Sequence, residues 1–460
     1  MDASSLILNP KRQKLDGGEE VEGSSKSLSN LPDVVIQKII SLLETKDAIR
    51  TSILSKRWEY LWTSIPNLNF YKGLFAARSP LVNIVERALL LRGPADIETF
   101  DLTFPVLDDA CRVNAWIDAT VRRNVKKLYL YLHSLQEPFY LPHSLFTSTT
   151  LVAAELDIPF LFKAPSTVCF SSLRTLSLRS IVFSDDSTQQ LFSGCPVLEE
   201  LSIEECKWMN LKFVSICAPQ LLRLTITELD PQLSRGSDGC QIMIFGVSLT
   251  YFYYRGKLLN EYCFYDSSSP NEAEIHLSYN FTKKLRPTAY RLYKLLRGLS
   301  SVKELVFSDS NAFEVILSNA PELVAQMPLF NDLTTLVLED SVYIDNKALL
   351  TMLQYCSCLE TLVFVEGIGL SSDRVEDGGV LEPLPPCFLS HLKMIEVGDF
   401  SGDQNELNAL EILLKNAMVL ENMLLACSTE FQGGPEKKTE IAKQLSNLAK
   451  GPESCEVVLV

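Results

Sequence analysis

The nine residues Leu198-Glu-Glu-Leu-Ser-Ile-Glu-Glu-Cys206 carry the pattern on which the rest of the chain turns. Apolar side chains hold the first, fourth and sixth places, and the last two flank one polar residue, the alternation of a strand with one buried face. The same spacing precedes it at Val125–Leu130 and Leu173–Leu178 and follows it at Leu221–Ile226, Leu249–Tyr254, Val302–Phe307, Leu333–Leu338, Leu359–Phe364 and Leu392–Val397. Weaker copies sit at Ile97–Phe100, Leu151–Ala154 and Glu272–Ile275. From fourth place to fourth place, Leu176 to Leu201 is 25 residues, Leu201 to Leu224 is 23 and Leu336 to Leu362 is 26.

Periods of about 20–29 residues are those of leucine-rich repeats. Each unit offers a short strand that cannot bury its inner face alone but can by stacking on its neighbours. Cys206 holds the turn position of the repeat consensus, which most other copies fill with neither Asn nor Cys, and Leu305 to Leu336 stretches to 31 residues. The expected solenoid is therefore irregular, with helices at Ser187–Phe192 and Asn346–Tyr355 among plain loops on its convex side.

Ahead of the repeats, Leu28 to Trp62 holds more apolar surface than so short a segment can bury. Asn30 and Asp33 suit helix caps and Pro32 a first turn, followed by a stripe of Val35, Ile36, Ile39, Ile40, Leu42 and Leu43. Lys46 and Asp47 break the run. A second stripe of Ala48, Thr51, Leu54, Trp58, Leu61 and Trp62 is expected on one helix face, with the tryptophans at i and i+4. Leu31-Pro-Asp33, Ile39-Ile-Ser-Leu-Leu43, Ser52-Ile-Leu-Ser-Lys-Arg-Trp58 and Leu61-Trp62 together resemble the F-box in its plant form. In that family the F-box docks on the Skp-type adaptor of a cullin-RING ubiquitin ligase, and the rest of the chain selects what is ubiquitinated. The resemblance assigns adaptor contact to Leu31, Pro32, Val35, Ile39, Ile40, Leu43, Thr51, Leu54, Ser55, Trp58, Leu61 and Trp62.

Ile65–Phe70 resembles the strand that follows the F-box in these relatives, and Asp109–Asn124 reads as a helix with Val113, Trp116, Ile117 and Val121 inward and Arg122 and Arg123 outward. Beyond Pro383-Leu-Pro-Pro386 the periodicity predicts a strand hairpin over Phe388–Phe400, a helix over Asn405–Asn416, a strand over Val419–Cys427, a helix over Glu436–Ala449 and a closing strand over Cys455–Val460. Cys387–Lys393 and Leu413–Glu421 with that last helix and strand resemble the FBD domain that ends many plant F-box proteins, here placed to cap the open end of the solenoid.

The expected fold is α/β: a disordered tail over 1–26, a short helical F-box over 27–72, an irregular leucine-rich-repeat solenoid over 95–380, and an α+β FBD cap over 381–460. With 47% apolar residues, wholesale disorder is excluded. A formal charge of -15 argues against nucleic acid and anionic membranes as partners. No run approaches a membrane span, the first residues carry no export signal, and twelve cysteines lack framework spacing, so reduced thiols in nucleus or cytoplasm are expected. Pro10-Lys-Arg-Gln-Lys-Leu-Asp16 resembles a short nuclear-import signal.

No catalytic pattern stands out. His133, His143, His276 and His391 sit in separate units without a nucleophile motif, and Cys356-x-Cys358 has no second pair at zinc spacing. No cofactor is expected. The expected function is that of a non-catalytic substrate receptor, bound through its adaptor to cullin and RING subunits and holding an unidentified protein substrate; the alternative is a repeat scaffold with no ligase role. The substrate surface is the concave face between the inward leucines, where Tyr129, Tyr131, Tyr251, Tyr253 and Arg255 are candidate anchors and Val337, Val363 and Val365 also point. Scarce Lys and Arg on the repeat strands argue against a polyphosphate pocket.

Overall fold

A computed structural model of the chain describes residues 31–71, 78–93, 95–135, 139–184, 187–228, 239–265, 270–278, 286–308, 312–371, 381–428, 441, 443–445, 448, 451–452 and 454–460. The tail, its basic run and Asn30 lie outside the described residues, as does most of the helix expected over Glu436–Ala449. Two compact units meet in sequence at Ile65 and Pro66.

The first unit is built from α1 (Asp33–Ser41), α2 (Thr45–Arg50) and two single-turn helices at Thr51–Ile53 and Leu61–Ser64. Helix α1 starts directly behind Pro32, whose fixed φ suits a helix entrance. Lys46 and Asp47 do not break the helical run; they lie in the first turn of α2, where the Asp47 carboxylate favours the helix N-terminus and receives Arg50 at 2.9 Å. The second stripe is not one helix. After Ile53 the chain turns through Ser55–Tyr60, and Trp58 and Trp62 reach the interior from separate turns, buried beside Ile36, Ile40 and Ala48. The Trp62 indole N–H donates to the Glu59 carbonyl at 3.0 Å, satisfying its polar end. Arg57 closes the unit, its guanidinium meeting Asp33 Oδ1 at 2.6–2.7 Å.

In the second unit, fifteen strands among the described residues form one parallel sheet in sequence order. They are β1 (Asn67–Phe70), β2 (Thr99–Leu107), β3 (Lys127–Leu135), β4 (Ala153–Asp157), β5 (Thr175–Arg179), β6 (Glu200–Glu204), β7 (Arg223–Thr227) and β8 (Tyr251–Gly256). The series continues with β9 (Glu272–Leu277), β10 (Glu304–Phe307), β11 (Thr335–Leu338), β12 (Thr361–Phe364), β13 (Met394–Phe400), β14 (Asn422–Cys427) and β15 (Glu456–Leu459). All twelve sequence copies of the repeat are strands of this sheet. The quoted stretch shows why: Leu201 and Ile203 of β6 stand in register between Leu176 and Leu178 of β5 and Leu224 and Ile226 of β7, all buried. Each such side chain taken from water contributes about 1.5–3 kcal/mol, available only when the neighbouring unit is in place. A one-residue slip would turn the whole apolar set outward, so the register is locked. Cys206 holds the turn as its consensus position implies: its thiol donates to the Leu178 carbonyl of an earlier repeat at 3.4 Å, and burial pushes its pKa up to about 12.

The convex side departs from the expectation in detail. Helices Ser187–Ser193 and Lys347–Leu353 are present, the second capped by Asn346, whose side chain accepts from Ala348 N. Further helices at Arg78–Leu90, Arg286–Gly298 and Ala312–Asn319 and, among the described residues, three small parallel sheets such as Phe213–Cys217 with Gln241–Phe245 and Glu261–Tyr265 back the large sheet. Helix Ala110–Val121 buries Val113, Trp116 and Ile117, but Arg123 is not a solvent-facing residue. It is half-buried, donating to the carbonyls of Ala119 on its own helix and of Leu89 and Arg92 at the end of helix Arg78–Leu90.

The hairpin expected at Phe388–Phe400 is absent: Pro386–Ser390 is a helical turn and only Met394–Phe400 is a strand, parallel to its neighbours. Pro386 suits that first turn and has no N–H for a ladder. The C-terminal region thus continues the sheet through β13–β15. Its long helix, Gln404–Asn416, opens on a capping box in which Asp403 accepts from Glu406 N while Glu406 reaches back, and it buries Leu407, Leu410, Leu413 and Leu414.

Candidate functional site

In the first unit the apolar residues fall into two sets. Ile36, Ile40, Trp58 and Trp62 form the interior, with Ile36 and Ile40 at 0% exposure. Val34 and Leu42 are each 76% exposed, Ile53 86% and Leu54 56%, and Val35, Ile39, Leu43 and Tyr60 are exposed as well. So of the residues assigned to adaptor contact, Pro32, Val35, Ile39, Leu43 and Leu54 face solvent, Leu31, Thr51, Ser55 and Leu61 are half-buried, and Ile40, Trp58 and Trp62 are inside. The buried three position the surface from beneath. Thr51 Oγ1 donates to the Ala48 carbonyl at 2.6 Å, continuing the hydrogen bonding of α2 into the next turn.

Val34, Leu42 and Ile53, outside the set assigned to adaptor contact, are more exposed than Val35, Ile39, Leu43 and Leu54 within it. Each stands in an apolar pair, Val34-Val35, Leu42-Leu43 and Ile53-Leu54, and both members of every pair are exposed, the second and third pairs lying at or beyond the ends of short helical turns. A small unit that leaves this many large apolar side chains in water presents a contact surface.

In the second unit the candidate anchors stand on the solvent side of the sheet, each next to a buried residue of its own strand. Two groups result. On β3, Tyr129 lies in register between Asp101 of β2 and Glu155 of β4, and Tyr131 between Thr103 and Asp157. Burial and then the Glu155 carboxylate, which accepts its hydroxyl, hold the Tyr131 pKa up. On β8, Tyr251 donates to Glu274 Oε1 at 2.8 Å and carries the Arg223 guanidinium 4.3 Å above its ring, while Tyr253 packs on His276 with ring centroids 5.0 Å apart. Arg255 is exposed at the end of the strand. The two tyrosine groups are separated by β4–β7 and do not form one site.

Cys356 is buried, its thiol pKa raised by burial and by Cys387, while Cys358, two residues on in the same turn, is half-buried. Among the described residues no group of three or more His, Cys, Asp or Glu is arranged to hold a metal ion, and no helix is long and apolar enough to cross a membrane. His391 Nδ1 lies 2.7 Å from the hydroxyl of its neighbour Ser390, both of them exposed. An open cleft of about 390 Å³ lined by Gln241, Cys263, Tyr265, Lys294 and Arg297 has its Lys294 ammonium held by Glu261 at 2.6 Å.

Comparison with known proteins matches three parts of the chain to family models: the F-box domain at residues 28–70, the LRR repeats of FBD-associated F-box protein At5g56370 at 113–233, and the FBD at 382–425. Similar whole proteins come from Arabidopsis thaliana. F-box/LRR-repeat protein At3g59210 is 30% identical over 447 residues, 88% of this chain and 89% of its own length. F-box/FBD/LRR-repeat protein At5g56420 is 28% identical over 438 residues, 94% and 98% respectively. FBD-associated F-box protein At4g13985 is 26% identical over 457 residues, 94% and 96%.

Proposed function

The chain belongs to the plant F-box/FBD/leucine-rich-repeat proteins, and on that premise we propose that it is the substrate-recognition subunit of an SCF-type ubiquitin ligase. F-box domains dock on Skp-type adaptors, and proteins of this kind are substrate adaptors without bond chemistry of their own. The observation that carries the reading is the outward apolar surface of residues 31–65, with Val34, Val35, Leu42, Ile53 and Leu54 held open over an interior of Ile36, Ile40, Trp58 and Trp62. Covering it with an adaptor helix face removes that surface from water at about 25 cal/mol per Å². A repeat scaffold without an adaptor has no use for such a surface.

Through the adaptor the cullin and RING subunits bring a ubiquitin-loaded enzyme near the substrate. The receptor's contribution is proximity, a bimolecular encounter made effectively unimolecular. The sheet face holds a protein substrate, and the place of action is nucleus or cytoplasm, where thiols such as Cys356 and Cys387 stay reduced.

The test is co-purification of the full chain with a Skp-type adaptor, wild type beside Val35→Asp/Leu54→Asp. Both positions are exposed, so the substitutions leave the interior intact. Wild type should retain the adaptor, and the double variant should lose affinity by on the order of 100-fold or more, since each lost apolar anchor is worth about 2 kcal/mol. No adaptor on wild type overturns the ligase reading, and equal capture by both overturns the assignment of this apolar surface as its docking face.

A further inference from the structure

The solvent side of the sheet is not uniform. One side-chain row runs across it in continuous register from Asp101 on β2 through Tyr129, Ser177, Tyr253 and on to Val458 on β15, and no lysine or arginine stands anywhere in that row. Between β9 and β13 the row reads Glu274, Val306, Val337, Val363, Glu396, one residue per strand. Three β-branched apolar side chains lie in register on neighbouring strands on the face turned away from the core, each half-buried, with a carboxylate at each end of the row. Glu304 and Glu339 lie in the flanking rows of the same strip, and the imidazole of His276 stands 3.2 Å from Glu339 and 3.6 Å from Glu274.

We propose that this strip binds an extended protein segment with aliphatic side chains in its middle and a lysine or arginine at each end. The inference deepens the receptor reading above and rests on it for the identity of the ligand as a substrate segment. The physical case is complementarity. Valines on an open sheet face gain from a dry contact, and carboxylates at both ends of the strip select a partner of opposite charge and reject nucleic acid and acidic peptides.

Length fits as well. Neighbouring strands are about 4.8 Å apart, so Glu274 and Glu396, four strands apart, are about 19 Å apart. An extended chain puts alternate side chains on one side, about 6.6 Å apart, so Lys-x-Val-x-Val-x-Lys spans about 20 Å with all four side chains facing the sheet. Crossing the strands, such a segment sets its two valines on the Val306–Val337–Val363 ladder and its lysines on the two glutamates.

The candidate tyrosines do not supply this contact. Tyr251 is already committed to Glu274 and Arg223, and it positions Glu274 at the end of the strip.

The experiment is fluorescence anisotropy of the full chain with three labelled peptides: Lys-Ser-Val-Ser-Val-Ser-Lys, its Glu-for-Lys form and its Ser-for-Val form. The first should bind at least tenfold tighter than either other, and its affinity should fall as salt shortens the screening length from about 10 Å to about 3 Å. In Glu274→Lys/Glu396→Lys the preference should reverse toward the Glu-for-Lys peptide, a gain that a misfolded chain cannot produce. No binding of the first peptide, equal binding of all three, or an unchanged preference in the double variant overturns the proposal. Adaptor capture in the same preparation separates the two readings. A chain that holds adaptor but ignores the peptides loses this strip and keeps its receptor role; a chain that selects the peptide without adaptor keeps the strip and loses the ligase reading.

Discussion

Residues 31–65 and the repeat unit use the same apolar side chains in opposite ways. In the helical unit, Val34, Leu42 and Ile53 stand in water above a small interior, whereas along β5–β7 each strand sends its leucines and isoleucines inward, to 0–2% exposure. The difference follows from geometry. A strand alternates with period two and can hide every second residue behind its neighbour, while a short helix such as Asp33–Ser41 turns only Ile36 and Ile40 inward and leaves Val34, Val35 and Ile39 outside. An array satisfies its own apolar surface by adding units; a unit of short helices and single turns has no repeat of its own kind to stack on.

The largest expected effect breaks the helical unit from within. Trp58→Ala removes a buried indole and should cost about 3–5 kcal/mol, while Leu54→Ser on the exposed side should stay within about 0.5 kcal/mol. Because the two units are compact separately, calorimetry of Trp58→Ala should show a lowered transition for the small unit and an unchanged one for the repeats. If both transitions fall together, the separation drawn above is wrong. If Leu54→Ser destabilises as much as Trp58→Ala, the outward surface is interior after all.

A second variant tests what holds the array where its backbone is irregular. Glu228, just after β7, accepts from the Tyr254 and Tyr262 hydroxyls at 2.7 and 2.8 Å and from the amides of Leu259 and Asn260 at 2.8 and 3.1 Å. Both tyrosines are buried, and burial followed by the Glu228 charge holds their pKa values well above the usual range. Glu228→Ala leaves several buried donors without acceptors at about 1–3 kcal/mol apiece, partly relieved by entering water, for a net loss of about 2–5 kcal/mol. Denaturant unfolding of the repeat unit reads this. A loss under about 1 kcal/mol would mean that the hydroxyls find other partners.

The repeat strands were legible because the pattern at Leu198–Ile203 contains its own proof: the alternation, the period and the burial agree at every copy, and a slip would expose all of them. The helical unit was legible as a unit and blurred inside. Trp58 and Trp62 at i and i+4 suggest one helix, but Ser55–Tyr60 turns, and the two indoles enter from different turns. The hairpin expected at Phe388–Phe400 does not form because Pro385-Pro386 starts a helical turn that keeps the chain in the parallel course. Backing strands of two residues, such as Val182–Phe183, are shorter than any periodicity can reveal. On the sheet face, Val337 and Val363 were readable as outward residues, but the row linking them to Glu274 and Glu396 exists only once the register is known.

The smallest expected effect concerns charge on that same face. Asp101 Oδ1 is buried without a hydrogen-bond partner, and burial, then the Glu155 charge across Tyr129, raises the Asp101 pKa above its ordinary value. A carboxyl whose folded pKa lies above its unfolded pKa favours the fold in its protonated form. Its contribution is full below the unfolded value of about 3.9 and is lost as pH rises through the folded value. Ionised Asp101 is therefore a cost at neutral pH, and Asp101→Asn, neutral at every pH, should raise the melting temperature of the repeat unit at pH 7. The gain should shrink as pH is lowered toward the carboxylate range. A variant less stable than wild type at pH 7, or a gain that grows on acidification, would mean that Asp101 is paired in solution and that this end of the acidic row is closed. A gain with the expected sign would leave the N-terminal end of the row, like its Glu274–Glu396 strip, as negative charge that only a basic partner relieves.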